Sequence, residues 1–277
     1  KKYLLTGEKW FCSNANADLI FALARTDENI KGTKGRSIFL IEKKLQSRNT
    51  IDTIRLKDKL GVRFRYKILL YAVIAGFGAG WFYFKLDWNT IHLPFLGEFV
   101  LGPLFILFFI LIIISTSFAV NETDGLDGLA GGILLTCFVS FGAIAFYQGK
   151  YNLAVFCAVI IGALLAFLWF NIPPARFFMG DTGSMSLGVV VGIIAFLTKT
   201  SLFLPIIGFV LMIEALSYLL QVFAKKYLGR KIFLSSPLHH HLEASGWPEP
   251  KIVMRFWVIS MIAGVIGLIL VLIDKTM

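Results

Sequence analysis

The chain has 277 residues, of which 57% are hydrophobic, 15% aromatic and only 16% charged, and its mean hydropathy is +0.76. A soluble domain of this size needs more polar side chains to cover its surface, and a disordered chain carries far fewer apolar ones. Both classes are excluded, and a polytopic membrane protein remains. The formal charge of +10 sits almost wholly in the first quarter: residues 1–67 hold 16 Lys and Arg against 7 Asp and Glu, and residues 68–277 hold 11 against 10. With no recognition motif or aromatic platform beside it, this charge reads as a basic stretch next to a membrane, not as a nucleic-acid surface. The three cysteines (Cys12, Cys137 and Cys157) show no CxxC or zinc spacing, so no disulfide framework is expected.

The composition shifts near residue 64. Before it, short alternating runs at 20–24 and 37–41 flank a turn-rich stretch at 26–35, which predicts a few strands and loops. The opening KKYLLTGEKW has neither an initiator Met nor the apolar core of a signal peptide, and the chain reads as a fragment. After residue 64, long apolar runs dominate. A bilayer core of ~30 Å takes about 20 helical residues to cross, and seven candidate spans result: 68–84, 99–120, 128–147, 151–170, 184–200, 202–223 and 252–273. Gly76 with Gly80 and Gly188 with Gly192 fit GxxxG, which predicts close helix contacts. The fold class expected is an all-α polytopic membrane protein carrying a small N-terminal β-rich piece.

Counting crossings puts the loops 121–127, 171–183 and 224–251 on one side. That side carries Arg63, Arg65, Lys67, Arg176, Lys225, Lys226, Arg230, Lys231, Lys251 and Arg255; the other carries Lys85, Lys150, Lys199 and Lys275. The positive-inside rule makes the first side cytoplasmic.

Each of those three loops holds an unusual polar cluster. The first, NETDGLDGLA, contains Asn121, Asp124 and Asp127; the two carboxylates lie three residues apart at the mouth of a span, spacing that suits Mg²⁺ or a polar substrate and equally suits helix capping. The second, NIPPARFFMGDTGS, holds Asn171, Phe178, Gly180 and Asp181. Glycines beside Asp181 let backbone amides approach an anion, a hard carboxylate suits Mg²⁺, and Phe178 could stack on a base or anchor at the interface. The third, SPLHHHLE, carries His239, His240 and His241. Three successive histidines do not share one helical face, so they make a poor preformed Zn²⁺ site and suit phosphate binding or proton transfer better. Glu214, inside the sixth span, is a costly charge expected to face the bundle interior. Carboxylates, histidines and glycine loops at span ends suit phosphoryl transfer, which depends on positioning and charge neutralisation, better than an ion path through mid-membrane.

These residues resemble a known family. NETDGLDGLAGG (121–132), FLWFNIPPARFFMGDTGSMSLG (167–188), EALSYLLQV (214–222) and PLHHHLEASGWPEPKIVMRFWVIS (237–260) are similar to the phospho-N-acetylmuramoyl-pentapeptide transferases, over about residues 64–277. The resemblance implies a ten-helix enzyme of the bacterial inner membrane. It uses Mg²⁺ and acts on UDP-MurNAc-pentapeptide and undecaprenyl phosphate, giving lipid I and UMP; a homodimer is compatible with this reading. It places the Mg²⁺ ligand at Asp181 and active-site roles at Asp124, Asp127, His239, His240 and His241. Substrate contacts fall on Asn121, Asn171, Phe178 and Gly180, with Phe178 against the uracil. The seven spans correspond to family helices four to ten, and the family's Asp-Asp pair, carried on an earlier loop, has no counterpart in this sequence. Residues 1–63 resemble part of the middle β-domain of acyl-CoA dehydrogenases, through YLLTGEKWFCSNANADLIFALART, KGRSIFLIEK and RLKDKLGVR, with Trp10 and Ser13 at that family's flavin-facing positions. The chain is thus expected to join two partial sequences near 63/64.

Overall fold

The computed structural model describes residues 19–25, 36–42 and 59–276. Trp10 and Ser13 lie outside the described residues. The chain divides into two compact units, Lys1–Gly61 and Val62–Met277. In the first, β1 (Leu19–Arg25) and β2 (Arg36–Glu42) pair antiparallel, with Leu19 opposite Glu42 and Arg25 opposite Arg36. These are the two runs whose alternation predicts strands.

The second unit is helical. Its elements are α1 (Lys59–Gly80, in this unit from Val62 on), a π-helical turn (Trp81–Lys85), a hairpin of β3 (Thr90–Leu93) and β4 (Gly97–Val100), α2 (Leu104–Thr123), α3 (Leu129–Tyr147), α4 (Tyr151–Asn171), α5 (Gly180–Leu197), α6 (Leu204–Ile207), α7 (Phe209–Phe223), a second π-helical turn (Ala224–Leu228), α8 (Leu238–Ala244) and α9 (Glu249–Thr276). Five of them, α2, α3, α4, α5 and α9, are long and apolar enough to cross a membrane, and Leu69–Lys85 forms a shorter apolar helix. Helices are what such sequences must form in lipid, because every main-chain N–H and C=O has to be paired within its own segment. Large apolar side chains such as Phe77, Leu107, Val155, Trp169 and Met254 point outward, as a lipid-facing surface requires. The chain is a multi-pass membrane protein.

The sixth predicted span departs from a single helix. It is broken at Gly208, whose N–H turns back to the Leu204 carbonyl at 2.7 Å, leaving a four-residue α6 and a fifteen-residue α7. Pro205 sits in the first turn of α6, where a residue without an N–H is tolerated. The break seats Ile207 tightly against α9, where a Cβ on Gly267 would stand 2.5 Å from the Ile207 side chain.

Inside a bilayer, helix association depends on close packing more than on transfer from water. The GxxxG pair on α5 provides it: a Cβ at Gly188 would stand 2.6 Å from the Ser117 Cα, and one at Gly192 would stand 2.7 Å from Ile113 and 2.8 Å from the Thr116 hydroxyl, so α5 lies directly on α2. The pair on α1 does not: Gly76 and Gly80 face open space, and it is Gly78 that packs, on Phe109. Phe109 in turn stacks on Phe196 at 4.5 Å, within a cluster that includes Phe82 and Phe105. A larger core joins α3 to α4, α5, α6, α7 and α9 through Leu129, Ile133, Cys137, Phe141 and Phe256, among others.

The β3–β4 hairpin, which no alternation in the sequence announced, occupies most of the connection after the π-helical turn and takes residues 99 and 100 from the second predicted span, so that α2 starts only at Leu104. Asp274, near the end of α9, holds the hairpin: its carboxylate pairs with His92 Nε2 at 2.5 Å and accepts the Phe95 N–H at 2.5 Å. Lys199 pairs with Glu98 on the same hairpin.

Candidate active site

The three polar loops come together at one end of the helical unit. α2 delivers Asn121 in its last turn and ends at Asp124; α5 opens at Gly180, whose φ of +66° favours glycine, and carries Asp181 in its first turn. The Asn121 amide donates to Asp181 Oδ1 at 3.1 Å and to the buried Ser184 hydroxyl at 3.0 Å, joining the two helix ends. The Gly180 N–H, at the positive end of the α5 dipole, favours the charged form of the Asp124 carboxyl. Burial nevertheless pushes Asp124 up to about 6, and the nearby Asp181 charge adds to the rise. Two carboxylates are therefore held close enough to repel each other.

Asp127 has a different place. Its carboxylate accepts the Ala175 N–H at 2.9 Å, bracing the 171–179 loop, and its own N–H is capped by Glu249 Oε1 at 2.7 Å. Asn171 is buried and bridges the same loops: its carbonyl oxygen accepts the Gly128 N–H at 3.0 Å and its amide donates to the Phe177 carbonyl at 2.9 Å. Trp257 Nε1 closes the turn by donating to the Gly128 carbonyl at 3.1 Å. Both residues thus bind the protein itself. Phe178 stands out from the loop, 69% exposed, with its ring available to a planar ligand.

The three histidines do three things. His239 is fully buried, and its Nδ1 pairs with Glu214 Oε2 at 2.8 Å. His240 is partly exposed and pairs with Glu243 at 3.0 Å. His241 Nδ1 accepts the Leu234 N–H at 3.1 Å. Glu214 does face the bundle interior. Glu249 has no role in the motif reading, although an acidic residue in a first helical turn just after Pro248 is a helix-start signal. Trp257 carried no signal.

Among the described residues, no three His, Cys, Asp or Glu side chains converge as a complete metal cage. The donor chemistry nevertheless fits Mg²⁺, which takes hard oxygen ligands, is often held by only one or two carboxylates, and fills its remaining positions with water and substrate phosphate. Asp181 and Asp124 are such a pair.

The glycosyl transferase family 4 pattern matches residues 55–199, a stretch that includes both carboxylates and the glycines of α5. The chain belongs to this family. Among its relatives, phospho-N-acetylmuramoyl-pentapeptide-transferases, one from Pelagibacter ubique is 41% identical over 235 residues, covering 78% of this chain and 65% of the relative. One from Rubrobacter xylanophilus is 39% identical over 222 residues, covering 78% and 67%. A third, from Caldanaerobacter subterraneus, is 43% identical over 211 residues, covering 76% and 66%. The chain therefore spans about two thirds of the length of these family members.

Proposed function

We propose that residues 64–277 form the nucleotide- and cation-binding part of a phospho-N-acetylmuramoyl-pentapeptide transferase of the bacterial inner membrane, with the three polar loops cytoplasmic. The observation that supports it best is the junction of Asn121, Asp124 and Asp181 where α2 ends and α5 begins; the activity for which the relatives are named supplies the substrates. In this reading a non-bridging oxygen of undecaprenyl phosphate attacks the sugar-bearing phosphorus of UDP-MurNAc-pentapeptide. The new P–O bond forms as the bond to the bridging oxygen breaks, and that electron pair leaves with UMP; the other product is lipid I. Mg²⁺, when bound, supplies neutralising charge at the diphosphate. Asp181 and Asp124 hold its site, Asn121 fixes the Asp181 rotamer, Gly180 lets an anion approach the α5 amides, and Phe178 stacks on the uracil. His240 and His241 flank the phosphates, and Asp127 and Asn171 keep the two loops in register.

The test is release of UMP from UDP-MurNAc-pentapeptide in the presence of undecaprenyl phosphate and Mg²⁺. The reading expects release that disappears in Asp181→Asn. Full activity of that variant would remove Asp181 from the metal role. A second reading is an inactive truncated or chimeric membrane protein; the lack of any Asp-Asp pair in the sequence favours it, and absence of UMP release from the intact chain would decide for it. Residues 1–63 are read as a joined piece of an acyl-CoA-dehydrogenase-like β-domain, and a continuous genomic read across codons 60–67 checks that junction.

A further inference from the structure

We propose that His239, held by Glu214, is a positioning residue that sets where the Asp124–Gly125 step stands relative to Asp181. The inference rests on the reading of Asp124 and Asp181 as a cation site.

Both side chains are fully buried. Glu214, on α7, accepts two bonds from one residue of α8: the His239 main-chain N–H at 3.1 Å on Oε1, and the ring proton shared between Nδ1 and Oε2 at 2.8 Å. Two such bonds leave the imidazole no freedom to swing. The His240 ring, 4.2 Å away, backs it from one side. The far edge of the imidazole lies against Gly125. A Cβ there would fall on Nε2 and stand 3.1 Å from Cε1 and 3.3 Å from Cδ2.

Nε2 is buried and has no hydrogen-bond partner among the described residues. The ring edge that carries Nε2 therefore makes no bond to these residues. Its observed contact is steric: it is a stop behind Gly125. Gly125 is also the residue at which the chain leaves α2, its N–H donating to the Thr123 carbonyl at 2.9 Å. Moving the stop therefore moves the neighbouring Asp124. If His239 served only to anchor α8, its Nδ1 and main-chain N–H would suffice and the outer half of the ring would be dispensable.

His239→Asn separates these roles, because the Asn amide keeps a donor near the Nδ1 position while removing Nε2 and Cε1. The experiment uses the full chain in detergent and measures Tm and Mn²⁺ affinity, the latter by the electron paramagnetic resonance signal of free Mn²⁺. Four proteins are compared: unaltered, Gly125→Ala, His239→Asn and the double variant. Gly125→Ala is expected to lower Tm by several degrees alone and by less than about one degree in the His239→Asn background, since contacting sites couple. Each single variant is expected to weaken Mn²⁺ binding about tenfold, as loss of an outer-shell support does. Equal Tm losses in the two backgrounds would overturn the contact. Coupled Tm values with unchanged Mn²⁺ affinity would overturn the positioning role. An unaltered chain lacking a Mn²⁺ site sensitive to Asp181→Asn would overturn the cation reading and this inference with it, while the Tm coupling would still record the contact, so the two failures are distinguishable.

Discussion

Asp124 carries the clearest electrostatic consequence at the scale of single residues. Its carboxyl, at about 6 against an ordinary 3.8, binds its proton more tightly in the folded chain than in the unfolded one. Stability is therefore lost as pH rises from about 4 to above 6, by an amount on the order of 3 kcal/mol. Asp124→Asn removes that cost: Tm should rise at pH 8, and the gain should vanish as pH falls below about 4. Thermal unfolding in detergent across this range checks it, and a gain independent of pH would refute burial of the charge as its cause. The same variant should weaken Mn²⁺ binding, because a neutral amide replaces a carboxylate. Asn171 is the other informative residue. Removing its side chain in Asn171→Ala leaves the buried Gly128 N–H without its acceptor, which should cost about 1–3 kcal/mol and speed proteolytic cleavage in the 171–179 loop.

At the scale of elements, the two GxxxG pairs separate pattern from packing. Sequence spacing marks both, but only one meets a neighbouring backbone. Gly188→Ala should push α5 off α2 and lower stability by about 1–3 kcal/mol, whereas Gly76→Ala enters open space and should gain a little through helix propensity. Comparing the two midpoints tests this directly. The helices α2, α3, α4 and α9 were legible because sustained apolar runs of span length leave few alternatives in a bilayer. The break at Gly208 was less so, because a glycine within an apolar run reads equally as a packing contact or a joint, and the contact with Gly267 that decides between them is remote in sequence. The β3–β4 hairpin was hidden for a similar reason, since its anchor, Asp274, lies some 180 residues away. In the candidate site, loop order put Asn121 and Asp181 on the same side, and the 3.1 Å bond between them is the structure's addition. The division of labour among His239, His240 and His241 was not, because it depends on Glu214, Glu243 and the Leu234 main chain, which adjacency in sequence does not reveal.

For the whole molecule, the charge asymmetry fixes an expected orientation that labelling can read. In a Cys12→Ser background, whose remaining cysteines are both buried, Leu96→Cys at the exposed hairpin turn should react with a membrane-impermeant maleimide in intact spheroplasts. Lys231→Cys should react only after permeabilisation. The reverse pattern would place the polar loops outside and end the cytoplasmic assignment. The two ends also differ in construction: one presents carboxylates, histidines and an uncovered aromatic ring, whereas the other is closed by the hairpin tied to α9. Under the proposed function, the first end is where a nucleotide-linked sugar and a lipid phosphate would meet.

The seat of Gly188 on the Ser117 backbone reaches further than its own contact. Asp181 lies two turns up the same rod, about 10 Å along its axis, and Asn121 stands one turn beyond Ser117 on the opposing rod. A wedge driven in at the glycine would spread the pair like the blades of scissors, with the widest gap opening where the amide meets the carboxylate. One missing methyl group, buried between the two helices, thus sets the gauge of the polar junction two turns away, and a larger side chain at position 188 is disfavoured for a reason unrelated to the residues that touch a ligand.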